Sequence, residues 1–285
     1  MSKDVLKEIA TKKKERIALA KQALPLEELR ASALGLPPVR PFLESISKPR
    51  QISLIAEIKK ASPSRGVIRE QFDPKEIAAI YQELGVQAIS VLTEEDYFQG
   101  NIQYINDIKG VTTVPVLRKD FIMEPYQVYE SRFFGADAIL LIAELLTRET
   151  LSELIAIASG LGLACLVEAH EEKELKKVLN LKVALAQGTQ VRQGAQASRK
   201  AAAKYAAFAV GINNRDLRTL ETDIKTTERL YTLIPRDKVV VVESGIRSYQ
   251  DVLFLKVLGV NAVLIGETFM AAQDIRKKVE EVMGW

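Results

Sequence analysis

This sequence predicts an α/β chain folded as a closed (β/α)8 barrel, and three observations carry that expectation. Eight short runs rich in Val, Ile and Leu recur between residues 52 and 267. They are continuously apolar rather than alternating, as parallel strands covered on both faces must be. Helix-length amphipathic stretches separate them, and eight such units in 285 residues favour closure over an open sheet.

The elements follow in order. Residues 2–50 read as helices and turns: Val5, Leu6, Ile9, Ile17 and Leu24 recur at roughly helical spacing, and GLPPVRP at 35–41 breaks the pattern. The run Lys12-Lys13-Lys14 reads as a solvated helix face. The strand runs are ISLIAEIK (52–59), AISVLTE (88–94), VPVLRKD (114–120), AILLIAE (138–144), ACLVEAH (164–170), AVGINN (209–214), VVVVES (239–244) and AVLIGE (262–267). One domain, residues 1–285, is expected, with 1–50 as a helical N-terminal extension.

One unit is too long. Successive run centres lie 23 to 36 residues apart, except that 44 separate residue 167 from residue 211. After a helix expected over 171–182 comes AQGTQVRQGAQASRKAAAKYAAFA (186–209), with nine Ala, four Gln, four basic residues and no acid. Residues 198–209 have helical composition. Without the segment, KVAL runs straight into VGINNRDL as one ordinary strand, so 186–209 reads as an insertion before strand six. Such a connection lies on the barrel face opposite the usual site of catalysis. Were the insert to enter strand six, the register would slip and turn every side chain over.

Composition excludes several classes. Apolar residues make up 47% and charged residues 27%, the balance of an ordinary globular protein. Forty Lys+Arg against 37 Asp+Glu leave +3, too even for electrostatic nucleic-acid binding. One Cys excludes an intrachain disulfide framework, and one His excludes a His-rich metal site. With no signal-peptide pattern and no apolar run of ~18 residues, a cytoplasmic protein without a membrane partner is expected. Cys165, between Ala164 and Leu166, reads as a buried thiol.

Active sites in such barrels sit at the C-terminal strand ends. Side chains at i and i+2 share a strand face. Glu57 and Lys59 therefore point with Ile55, Lys119 with Leu117, and Glu168 with Leu166, while Asn213 and Arg215 follow on strand six. Buried charges gathered this way cost several kcal/mol unless function retains them. ESGI and IGET place Gly245 and Gly266 just past the last two strands, where backbone N–H groups can cradle a phosphate. A small phosphorylated substrate and Lys/Glu acid–base chemistry follow, with no metal or organic cofactor. Tyr97 and Phe98 offer rings to an aromatic substrate or to loop packing, and His170 lies two residues beyond Glu168.

The strings AEIKKASPSRG (56–66), LTEEDYFQG (92–100), LRKDFI (117–122), LVEAH (166–170), GINNRDL (211–217) and ESGI (243–246) together resemble the indole-3-glycerol-phosphate synthase family. The resemblance spans nearly the whole chain and implies a TIM barrel with a helical extension. The implied reaction turns 1-(2-carboxyphenylamino)-1-deoxyribulose 5-phosphate into indole-3-glycerol phosphate, CO2 and water, a carboxy-lyase step of tryptophan biosynthesis without cofactor. Implied catalytic residues are Glu57, Lys59, Lys119, Glu168, Asn213 and Ser244; implied substrate and phosphate contacts are Ser62, Arg215, Gly245 and Gly266. A monomer is implied, although the insert, for which the family offers no counterpart, could add contacts. Two other readings stay open: another phosphate-binding barrel, such as an isomerase or an aldolase using Lys119 as an imine-forming amine, and a scaffold whose basic insert recruits an acidic partner.

Overall fold

The computed structural model describes residues 4–33, 35–182 and 208–285. Eight parallel strands close into a barrel: β1 (Ser53–Ile58), β2 (Ala88–Leu92), β3 (Val116–Lys119), β4 (Ala138–Ile142), β5 (Ala164–Ala169), β6 (Phe208–Asn213), β7 (Val240–Glu243) and β8 (Ala262–Ile265). Each pairs with its sequence neighbours, and β1 closes the ring on β8 with Ser53 opposite Ala262. Ile55, Leu117, Leu140, Leu166, Val241 and Leu264 fill the interior. Their alternates, including Leu54, Ala56, Ile89, Val91, Ile139 and Val167, pack outward under the helices. The continuously apolar runs thus supply two cores at once, one from each strand face.

Three helices precede the barrel: α1 (Val5–Ala23), α2 (Leu26–Ala33) and α3 (Phe42–Ile46). Asp4 caps α1 by accepting the Lys7 N–H at 3.1 Å. Leu6 and Ile9 of α1, with Phe42 and Ile46 of α3, join the barrel-interior cluster. The lysine run departs from expectation. Lys12 and Lys14 are exposed, but Lys13 is only 3% exposed, with its ammonium 2.8 Å from Asp120 and 2.9 Å from Glu95. The reason is helical geometry: Ile9, Lys13 and Ile17 are four apart, so position 13 falls on the stripe that α1 buries.

Behind Lys13 the network continues inward. Arg118 donates to Asp120 at 2.9 Å and to Glu130 at 2.8 Å, all in the buried layer outside β3. Burial alone would raise the Asp120 carboxyl, but Lys13 and Arg118 override it and hold it well below the ordinary aspartate value. A depressed folded-state value contributes stability above about pH 4, lost as pH falls below that. Asp120→Ala would leave Lys13 with Glu95 and Arg118 with Glu130 as their remaining carboxylates, and a loss of about 1–3 kcal/mol is expected. Thermal melts at pH 7 check this; an unchanged midpoint would mean the network contributes nothing.

The insertion's boundary needs correction at one end. Phe208 and Ala209 are the first residues of β6, with Phe208 opposite Cys165, so they belong to the barrel rather than to the insert or to a helix over 198–209. The rest of that segment falls outside the described residues; the helix expected over 171–182 is shorter, α8 (Glu172–Leu179), ending in a turn at Asn180, after α4–α7 at Pro74–Glu83, Gln103–Lys109, Pro125–Phe133 and Arg148–Gly160. The register of β6 is in phase: Glu168 lies opposite Gly211, and Asn213 opposite Glu243. Helices α9 (Lys225–Tyr231), α10 (Tyr249–Leu258), α11 (Glu267–Met270) and α12 (Ile275–Met283) complete the ring. Cys165 is buried between strand and helix layers, where desolvation pushes its thiol up. No helix among the described residues is long and apolar enough to cross a membrane.

Candidate active site

At the C-terminal ends of the strands lies a cavity lined by Glu57, Lys59, Ser62, Lys119, Asn213, Arg215, Ser244, Gly245 and Gly266. Nine of the ten residues singled out from the sequence therefore line one space. The tenth, Glu168, sits just behind it, 2% exposed. It is bound there: Lys119 approaches it at 3.2 Å, and the Asn213 amide donates to it at 2.7 Å.

Parity along the strands explains the assembly. Lys119 follows inward Leu117 and Glu168 follows inward Leu166. The same parity brings in Glu243, two residues after inward Val241, which the motif reading passed over in favour of the glycines. Glu243 lies 3.1 Å from the Lys119 ammonium. Glu57 and Lys59 form a second pair at 2.6 Å. Three carboxylates thus face two ammonium groups.

That imbalance shifts the titration of the cluster. Burial pushes the Glu243 carboxyl above the ordinary glutamate range, with Lys119 opposing and Glu168 and Glu57 reinforcing. Burial would lower Lys119, but Glu168, Glu243 and Glu57 outweigh it and keep the ammonium protonated above the ordinary lysine range. Both Glu243 oxygens and Glu57 Oε2 are buried without an aligned hydrogen bond among the described residues. Unpaired buried acceptors cost free energy, and such costs concentrate where function demands them.

The loops carry the remaining groups. After β1, Ala61–Ser62 pairs antiparallel with Gly66–Val67 and presents Ser62 and Ser64 to the cavity. Arg215 donates to Ser64 Oγ at 3.0 Å and to Glu267 at 3.1 Å, and Arg65 approaches Glu267 at 3.7 Å. Glu267, which sequence reasoning missed, therefore parks the arginine. Phe98 lines the cavity, whereas Tyr97 turns away and donates its hydroxyl to Glu8 of α1 at 3.1 Å. The turn after β7 holds Ser244 at φ 67° and Gly245 at φ 77°. A non-glycine residue held in the left-handed region is characteristic of functional turns. The first turn of α10 is closed by a Ser248–Asp251 capping box, and the Ser244–Gly245 and Gly266 turns line the cavity.

Comparison with known proteins places the chain in a family. The family model for indole-3-glycerol phosphate synthase matches residues 6–188 and 189–282, with its break inside 186–209. A protein of that name from Caldanaerobacter subterraneus subsp. tengcongensis is 46% identical over 284 residues, 98% of this chain and 99% of its own. One from Acetivibrio thermocellus is 44% identical over 279 residues, 97% of this chain and 98% of its own. Among solved structures, 3-hexulose-6-phosphate synthase from Salmonella typhimurium superposes with TM-score 0.56 at 16% identity, covering 82% of this chain and 97% of that one, a likeness of fold alone. A full-length family match, two relatives above 40% identity and a barrel mouth carrying every expected residue lead to one assignment: the chain belongs to the indole-3-glycerol phosphate synthase family.

Proposed function

We propose that the chain closes the indole ring, converting 1-(2-carboxyphenylamino)-1-deoxyribulose 5-phosphate to indole-3-glycerol phosphate with release of CO2 and water, as a carboxy-lyase of tryptophan biosynthesis. The observation that carries the proposal is Lys119: a buried ammonium held protonated by Glu168 and Glu243 at the mouth of the barrel. A protonated amine is an acid rather than a nucleophile, which favours ring closure over imine chemistry.

In this reading Lys119 donates a proton to the ketone oxygen while the ring carbon bearing the carboxylate attacks the carbonyl carbon. Loss of CO2 from that ring carbon then restores aromaticity. Dehydration is proton-neutral: one proton goes to the leaving hydroxyl and one is lost from carbon. Glu168, in contact with Lys119, takes up from solvent the one proton that decarboxylation consumes and delivers it to the leaving hydroxyl, and the neutral lysine accepts the proton lost from carbon, so both groups return to their starting states. Lys59 and Arg215 engage the substrate carboxylate, and Glu57 holds Lys59 in place. Asn213 and Ser244 orient the reacting groups. Ser62 and the Gly245 and Gly266 turns take the phosphate, and Phe98 takes the aromatic ring. No residue in this scheme requires a metal or an organic cofactor.

The test is formation of indole-3-glycerol phosphate, followed by fluorescence, for the full chain beside a version lacking 186–207. The β6 register is set within 208–213, and shortening a connection changes closure entropy only slowly, so rates within about threefold are expected. Turnover only in the shortened chain would mean that the insert disturbs β6. Turnover in neither would end the proposal.

A further inference from the structure

The chain's single histidine has no part in the scheme above, yet it touches the site. The last paired residues between β5 and β6 are Ala169 and Ile212. Beyond them the backbones diverge, and there the His170 Nδ1 lies 2.8 Å from the carbonyl oxygen of Asn213. A carbonyl only accepts, so the proton of this bond sits on Nδ1. The imidazole thus adds one rung to a ladder the backbones can no longer make.

The two strands this rung ties together carry Glu168 and Asn213. Asn213 has three fixed points: its amide donates to Glu168 at 2.7 Å, its side-chain oxygen accepts the Arg215 N–H at 2.9 Å, and its carbonyl accepts from His170. His170 is itself anchored, its backbone N–H donating to the half-buried Glu144 carboxylate at 2.7 Å. Without the imidazole proton, the peptide after Asn213 is held only at its other end, where the Asn214 N–H donates to the Glu243 carbonyl at 2.9 Å; it can then tilt, and the amide loses its aim at Glu168.

We infer that His170 is a positioning residue for the proposed ring-closing reaction, holding the Asn213 amide on Glu168 through its Nδ1–H. The inference rests on that reaction, but one of its tests does not. Asparagine places an N–H where Nδ1 lies, whereas glutamine places one where Nε2 lies and phenylalanine fills the space with no donor. His170→Asn is expected to keep kcat within about threefold. His170→Gln and His170→Phe are expected to lose about 10- to 100-fold in kcat with KM nearly unchanged, the scale of a misplaced catalytic group. A residue that mattered only for stability would show similar losses in all three variants, in step with their melting temperatures.

The independent measurement is the imidazole 15N spectrum of the wild-type protein, unambiguous because the chain has one histidine. A protonated Nδ1 is expected in the neutral ring; a bare Nδ1 with the proton on Nε2 overturns the inference whatever the rates. Equal kcat for His170→Phe and wild type, or an asparagine variant as slow as the phenylalanine one, also overturns it. Failure of the wild type to form product would sink the proposed reaction instead, and the spectrum would still decide the hydrogen bond.

Discussion

Lys119→Ala is expected to lower turnover by about 10³-fold, the range typical for loss of a general acid, in a protein that still folds. The substitution removes the proton donor and also the cation that lies between Glu168 and Glu243. Left without it, the carboxylates relieve their repulsion by taking up a proton, so the variant should lose more stability at high pH than at pH 5. Lys119→Arg should not rescue activity, because a guanidinium keeps its charge but surrenders no proton near neutrality. Steady-state fluorescence assays beside melts at several pH values separate the two effects. Retention of more than about a tenth of wild-type turnover by the alanine variant would remove Lys119 from the acid role.

Gly266→Ala should be nearly as damaging, for a reason distinct from phosphate binding. A Cβ at this position would stand 2.2 Å from Glu57 Oε1 and 2.8 Å from Glu57 Cβ. The backbone there has φ −128°, outside the left-handed region, so the effect is argued from the collision. Glu57 must move, and with it Lys59, its partner at 2.6 Å. Displacement of such a pair by about 1 Å costs on the order of 100-fold in kcat/KM. Gly160→Ala is the control, since a Cβ there meets nothing within 4 Å, and it should leave activity untouched. If Gly266→Ala keeps near-normal kcat/KM, the position of Glu57 is not critical.

Strand parity made most of the site legible in the sequence. Counting in twos from Ile55, Leu117 and Leu166 placed Glu57, Lys119 and Glu168 inward, and all three point inward. Glu243 was within reach of the same count from Val241, but the neighbouring glycines drew the reading to the turn. Lys13 was hidden differently: three consecutive lysines look solvated until the four-residue spacing with Ile9 and Ile17 is noticed. Glu267 had no local signal at all. Its grip on Arg215 and Arg65 exists only because the loops after β1, β6 and β8 converge, and pattern along one strand does not encode convergence among three. The choice between Tyr97 and Phe98 likewise depended on Glu8, 89 positions away.

The helix α1 has a consequence for how the chain folds. Its anchors lie far downstream: Lys13 on Glu95 and Asp120, Arg16 on Asp96, and the Val5 N–H on the Arg218 carbonyl. A 19-residue helix with buried positions as sparse as Leu6, Ile9, Ala10, Lys13 and Ile17 has little to hold it while those partners are unmade. Synthesis proceeds from the N-terminus, so α1 emerges before every one of its partners and must wait, fraying and re-forming, until strands as late as β6 are in place. Contacts of such long sequence separation slow the final docking step. The lysine tucked against the residue after Lys119 thus makes the earliest helix one of the last to settle.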